Sequence, residues 1–182
     1  MNNISEIYIA LDNIRSLYNV GAICRLCSFF NVKHLILIGI SGQERNQYDN
    51  HLILHQKLKK TALGAEKDLE ITSCEDIADF LQFVKSKNLT LISIEQHNQS
   101  KNILNWKPQP GKYAFVFGHE RSGVSKELLN QSAEIVEIPR KGKHDSLNVS
   151  TACAIVLYHL LLSSLQTEKS QYIFSSPNLC QK

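Results

Sequence analysis

Short apolar runs alternate with longer amphipathic stretches along the chain, and this alternation fixes the predicted elements. Ile7 to Leu11 is apolar or small throughout and reads as a buried strand. Asp12 to Tyr18 is polar and reads as a loop that exposes Asp12, Asn13, Arg15 and Ser16, with Asn19 capping the next helix. In that helix Ile23, Leu26, Cys27 and Phe30 share one face, while Ala22, Arg25 and Phe29 share another. Lys33 to Gly39 is a second strand; Ser41 to Asn50 is polar, and His51 to Leu63 reads as a loosely helical stretch. Ile71 ends a short extended piece, and Asp76 to Ser86 is an amphipathic helix that buries Ile77, Phe80, Leu81 and Val84. Thr90 to Ile94, Tyr113 to Phe117 and Ile135 to Ile138 are further strands. The last helix, from about Leu147 to Ser164, is apolar nearly all round, which predicts burial on more than one side and a second subunit. Strands alternating with helices predict an α/β domain with a mostly parallel sheet covered on both faces.

Composition narrows the class without naming a function. The 182 residues, 43% hydrophobic and 20% charged, suit one soluble domain with a sizeable core. A net charge of +3 permits a nucleic-acid partner but does not require one. Five cysteines without framework spacing suggest a reducing compartment, and the N-terminus lacks an export signal, so a cytoplasmic location is expected. Cys24 and Cys27 form a C-x-x-C, but no second cysteine pair or histidine pair accompanies them, so they read as packed core thiols and no metal is expected. The longest apolar run, Ala152 to Leu162, is too short to span a bilayer.

The candidate chemistry gathers at strand ends. Tyr113 to Phe117 stops at Gly118, and His119, Glu120, Arg121 and Ser122 follow before Gly123. Ile138 leads into Pro139, Gly142 and then Ser146-Leu147-Asn148 before the last helix. In open α/β sheets the carboxyl edge of the strands is where ligands bind. Taken singly, each feature has a plain structural reading: Asn19, Ser146 and Asn148 as helix caps, Glu120 as a partner of helix amides. A nicotinamide-dependent oxidoreductase would want Gly-x-Gly-x-x-Gly after the first strand, and Asp12-Asn-Ile-Arg-Ser lacks it.

Three segments in order go further: Asn19-x-Gly-Ala-Ile-x-Arg25, Phe117-Gly-x-Glu120-x-x-Gly-Val, and Ile138-Pro-x-x-Gly-x-x-x-Ser146-Leu-Asn-Val-Ser150. Together they resemble the signature motifs of the SpoU (TrmH) family, S-adenosylmethionine-dependent RNA ribose 2′-O-methyltransferases of the SPOUT superfamily. The resemblance covers nearly the whole chain, including Thr61-Ala-Leu-Gly-Ala-Glu66 and Ile94-Glu95-Gln96. It implies a C-terminal trefoil knot, a homodimer and an RNA substrate, tRNA or rRNA, with residues 1–166 as the methyltransferase domain and 167–182 as a tail. It also implies cofactor contacts from Ile94, Glu95, Gly118, Ile138, Ser146 and Leu147, with catalytic positions at Arg25, Asn19, Glu120, Ser146 and Asn148. The bare backbone of Gly118 would admit the cofactor, so a valine there is expected to remove binding and leave the fold intact. The sequence departs from the family's usual apolar residue after Ile-Pro: Arg140 stands there, and with Lys141 and Lys143 it forms a basic loop. These three, with Arg15, are the expected RNA contacts. A non-catalytic RNA-binding module on the same fold is the competing expectation, and it would be expected to lose Arg25, Glu120 or the Ser-Leu-Asn run.

Overall fold

A computed structural model describes residues 4–46, 48 and 52–174, with side chains as far as residue 164. One sheet contains β1 (Ile4–Asp12), β2 (His34–Ile38), β5 (Glu70–Cys74), β6 (Thr90–Ile94), β7 (Lys101–Asn102), β8 (Gly111–Phe117) and β9 (Glu134–Glu137). These seven strands lie in the order β5-β2-β1-β8-β6-β9-β7. Every pairing among them is parallel. β3 (Gln43–Arg45) and β4 (Leu52–Leu54) make a separate antiparallel pair.

The two middle strands explain why helices must cover both faces. In β1, Ile9 and Leu11 point into one core while Tyr8 and Ala10 point into the other; in β8, Phe115 and Phe117 alternate in the same way with Ala114 and Val116. All eight are buried, as expected for a parallel sheet whose strands read as continuous apolar runs. The first core is closed by α1 (Leu17–Phe29) and α5 (Val149–Phe174), with α2 (Leu58–Ala62) beside α1; the second takes α3 (Ile77–Ser86) and α4 (Lys126–Gln131). Among the described residues no helix is long and apolar enough to cross a membrane.

Most predicted elements are present, and the differences have local causes. The stretch expected to be loosely helical divides into β4 and a short α2, because Leu52–Leu54 pairs with Gln43–Arg45 inside the segment that looked only polar. Residues 49–51 of that region lie outside the described part. The extended piece expected to end at Ile71 continues to Cys74, held by pairing with β2. The polar connection after β6 carries core: Trp106 is buried, its indole N–H donates to Glu134, and its ring meets Tyr113 and Phe115 edge-to-face at 6.1 and 5.8 Å. α5 runs unbroken past residue 166 to Phe174, so the expected boundary is marked by no break in the helix; residues 175–182 lie outside the described part. Along the described side chains of α5, to residue 164, one face is buried by Val149, Cys153, Val156, Leu157 and Leu160, while Ile155, Tyr158, Leu161 and Leu162 face solvent in the single chain.

The strand order also sets how the chain enters the site. β9 lies between β6 and β7, and residues 95–100 bridge those two across its end. The Glu95 amide donates to Val136 O and the Ile103 amide to Glu137 O, so the strand is clasped from both sides just where the chain turns toward α5.

α1 is seated by a close approach to α2. A Cβ on Gly21 would overlap the Thr61 side chain and lie 2.7 Å from the Thr61 carbonyl carbon. Gly21→Ala should therefore reverse the usual helix preference and destabilise by about 1–3 kcal/mol through overpacking, read as a lower urea midpoint. A midpoint equal to or above wild type would show that the α1–α2 contact gives way easily.

Candidate functional site

The loops at the carboxyl edge of β6, β8 and β9 enclose a cleft of about 340 Å³. Ile94, Phe117, Ile138, Leu147, Val149 and Ala152 supply its apolar wall, and Glu95, Gly118, Glu120, Ser146 and the 119–123 loop supply the polar side. A cleft of this size with an apolar wall and a few convergent polar groups suits a nucleoside-sized ligand. All six positions expected to contact a cofactor line it.

Carboxylates hold the cleft's shape. Glu95 Oε2 accepts the Val124 amide at 2.9 Å and Oε1 its neighbour Gln96 amide at 2.9 Å, which ties the loop after β6 to the loop after β8. Asp12, expected to be exposed, is only 2% exposed. Its oxygens accept the Ser125 amide and the Asn13 side-chain amide, both at 2.9 Å, and these hydrogen bonds compensate its burial. Gly118 and Gly123 make the same loop possible. Gly123 has φ +69° and packs against the Glu95 carboxylate. A Cβ at Gly118 would overlap the Gly123 carbonyl carbon and the Val124 nitrogen. The space beside Gly118 is thus filled first by the chain itself, so a valine there would displace the loop. This corrects the expectation that such a variant keeps its fold intact.

Glu120, Asn19 and Asn148 come together from three distant segments. Asn19 Nδ2 donates to Glu120 Oε1 at 2.9 Å, and Asn148 Nδ2 donates to Asn19 Oδ1 at 3.0 Å. The Ser16 amide adds a longer bond to Glu120 at 3.4 Å. Asn19 is not the helix cap, which corrects the sequence reading. Ser16 takes that role, its side chain accepting the Asn19 amide at 3.3 Å, and this frees the Asn19 side chain for the site. A serine followed by an apolar-periodic stretch is a signal the sequence did offer. Asn148 serves both purposes weighed for it: its Oδ1 accepts the Ser150 amide at 2.9 Å at the start of α5, while its amide group reaches Asn19. Partial burial pushes the Glu120 carboxyl up, but hydrogen bonds from its own amide, Asn19 and the Ser16 and Arg15 amides outweigh this and leave it below the ordinary carboxylate value.

The remaining expected residues stand apart from this cluster. Arg25 is exposed on α1 and does not line the cleft of its own chain. It sits on a stripe with Tyr18, Ala22 and Phe29, of which Tyr18 is 79% and Phe29 82% exposed. Arg140 is drawn into its own loop by an ion pair with Asp145 at 2.7 Å, while Lys141 and Lys143 are exposed. Arg15 lies on a separate recess across the 119–123 loop. Cys24 and Cys27 are buried, as expected of core thiols, with desolvation pushing Cys24 up to about 12.

Comparison with known proteins decides the family. The profile of the SpoU rRNA Methylase family matches residues 6–158. The chain belongs to that family. Among relatives of this SpoU chain, a tRNA (guanosine(18)-2′-O)-methyltransferase of Saccharomyces cerevisiae is 28% identical over 156 residues, which cover 85% of this chain and 10% of the yeast protein. A tRNA (guanosine(18)-2′-O)-methyltransferase of Thermus thermophilus is 24% identical over 180 residues, 97% of this chain and 85% of that one. The SpoU chain thus spans about a tenth of its yeast relative and most of its Thermus relative. The crystal structure of the SpoU methyltransferase AviRb from Streptomyces viridochromogenes in complex with AdoMet superposes with a TM-score of 0.76 at 17% identity, covering 90% of this chain and 59% of AviRb. At that identity the likeness establishes the shared fold.

The Glu120 cluster makes a pH-dependent statement. Because the folded carboxyl titrates below its unfolded value near 4.5, its contribution is present above that pH and is lost as pH falls through the folded value. Glu120→Gln should lower stability at neutral pH and make the acid limb of the stability curve shallower, as read by urea midpoints across that range. Parallel curves for the two proteins would mean that the carboxylate gains nothing from its partners.

Proposed function

We propose that this SpoU protein is an S-adenosylmethionine-dependent methyltransferase that methylates a ribose 2′-hydroxyl of tRNA or rRNA. One observation carries the reading: the three motif segments, far apart in sequence, meet through Glu120, Asn19 and Asn148 beside a nucleoside-sized cleft at the carboxyl edge of the sheet. The residues present fit the cofactor, since the cleft offers an apolar wall of Ile94, Ile138 and Leu147 and a polar side of Glu95 and Ser146. When bound, S-adenosylmethionine supplies an electrophilic methyl group on a sulfonium. The transfer it would support joins the methyl carbon to the ribose oxygen, breaks the sulfur–carbon bond to leave S-adenosylhomocysteine, and releases the hydroxyl proton to water. The protein's share is to align the ribose oxygen and to stabilise its developing negative charge.

Within that scheme Glu120 acts as a strut. Its carboxylate is held below the ordinary value and is occupied by Asn19 and Ser16, so it is better suited to fixing α1 than to taking a proton. Arg25 supplies positive charge for the alkoxide and the neighbouring phosphate; a guanidinium stays protonated, so its role is electrostatic. Arg25 does not reach its own cleft, and this is why the reading includes a homodimer. α1 and α5 pack together, and each turns an apolar stripe outward: Tyr18 and Phe29 on one, Ile155, Tyr158 and Leu162 on the other. A second copy seated on those stripes would cover them and carry Arg25 to a neighbouring cleft. The same reading threads the chain leaving β9 beneath the 95–100 bridge to make the family's knot, an arrangement supported by the clasp at Val136 and Glu137. A reducing, cytoplasmic setting is supported by Cys24, Cys27, Cys74 and Cys153, which are free and buried.

The test joins chemistry and assembly. Arg25→Ala should keep S-adenosylhomocysteine affinity and melting temperature while lowering methyl transfer to RNA on the order of a hundredfold, and Arg25→Lys should restore little of it. Sedimentation of the wild type should report a dimer. A fully active Arg25→Ala protein removes the arginine from the mechanism, and an active monomer removes the shared site.

A further inference from the structure

A second recess lies across the 119–123 loop from the cleft, between the end of β1 and the start of α4. Arg15 and Lys126 bring positive charge to it, and His119, Ser122 and Asn13 add polar groups. The one acid on its lining, Asp12, is buried, and its two oxygens already accept the Ser125 amide and the Asn13 side chain. Neither Arg15 nor Lys126 has an ion-pair partner among the described residues, whereas Arg140 on the opposite side of the cleft is tied to Asp145. The buried Ser125 hydroxyl at the floor has no hydrogen-bond partner among the described residues. His119, Ser122 and Gly123 line both the recess and the cleft, so the two share one thin wall. The recess continues past Asn13 and Ile40, which is 51% exposed, into a further depression toward Arg45 and Glu75. Together these form a groove along the carboxyl edge of the sheet: Arg15 and Lys126 stand at one end, Ile40 lies on its path, and Glu44 and the Arg45–Glu75 ion pair line the other end.

We infer that this groove holds the RNA strand flanking the reacting nucleotide, with a backbone phosphate seated between Arg15 and Lys126 and the next base lying over Ile40. The chemistry favours a single strand. Arg15 and Lys126 line the recess as the cations a phosphodiester needs, the exposed Ile40 beside them suits a base face, and Asn13, Ser122 and Ser125 are the small neutral polar side chains of the recess lining. The inference rests on the RNA methyltransferase reading for its biological meaning, but its physical content can be measured apart from it. The side chains of Arg15 and Lys126 take no part in the Glu120 cluster, to which Arg15 contributes only its backbone amide.

The experiment measures binding of a fluorescein-labelled oligouridylate to the full chain across a salt series. Arg15→Gln combined with Lys126→Gln should weaken binding and reduce the slope of log affinity against log salt by about 1.4, because two fewer phosphates of a single strand are neutralised. S-adenosylhomocysteine affinity should stay at the wild-type value. Arg15→Lys with Lys126→Arg keeps both charges and should retain the slope. Lys85→Gln with Lys87→Gln, at the C-terminal end of α3 away from the groove, should also retain it. An unchanged slope in the first variant, an equal fall in the α3 variant, or a wild type that does not bind the oligonucleotide each overturns the inference. Methyl transfer by the wild type tests the enzymatic reading separately: a protein that binds the oligonucleotide through Arg15 and Lys126 without transferring methyl retains the groove and loses the enzyme.

Discussion

Carboxylates that accept loop amides hold this structure's site together. Asp12 at the end of β1 takes the Ser125 amide, Glu95 after β6 takes the Val124 amide, and Glu120 within the loop after β8 takes Asn19 and Ser16 of the α1 entry. Two strand ends and the entry of α1 are thereby locked to one loop, residues 118–125. A loop of that length with two glycines would otherwise sample many conformations, and each charge-assisted hydrogen bond removes some of that freedom. The cleft and the recess stand on the two sides of this loop, so its position sets the shape of both.

The close approaches follow from the same constraint. Gly118 leaves room for the backbone of Gly123 and Val124, and Gly123 adopts a positive φ against the Glu95 carboxylate. Side chains at these positions would push apart the strands' ends that the carboxylates draw together. Glycine here is thus tied to the protein's own packing before any ligand is considered. The cleft is thus shaped by the chain's own hydrogen bonds and close packing.

Charge around the carboxyl edge is distributed unevenly. The loop at 140–145 neutralises one of its cations internally through Asp145, while Arg15 and Lys126 across the site remain free of ion pairs among the described residues. Sequence composition alone would rank the 140–143 cluster as the stronger basic feature. Pairing geometry narrows that difference by one cation, because Arg140 is engaged with the Asp145 carboxylate at 2.7 Å while Lys141 and Lys143 stay exposed.

The strand–helix alternation, the parallel sheet and both core faces were written in the spacing of apolar residues, since burial on both sides of β1 and β8 demands unbroken apolar runs. The ordered motifs also named Asn19, Glu120 and Asn148, which the folded chain brings together. What the sequence could not reveal was how those side chains are used. Asn19 is a residue type suited to a cap, yet Ser16 occupies that position; Asp12 opens a polar stretch, yet it is buried and accepts the Ser125 amide. The β3–β4 pair leaves no periodic signal in the sequence because each strand is only three residues long and gains its order from the other, Gln43 to Arg45 lying against Leu54 to Leu52. Arg25 shows the same division. Its helix face was readable from spacing, but its exposure and its distance from the cleft belong to the folded chain. Local patterns report which face of an element is apolar; which polar group meets which, between residues as far apart in sequence as Asn19 and Glu120, is decided only when the strands pair and bring their ends to one edge.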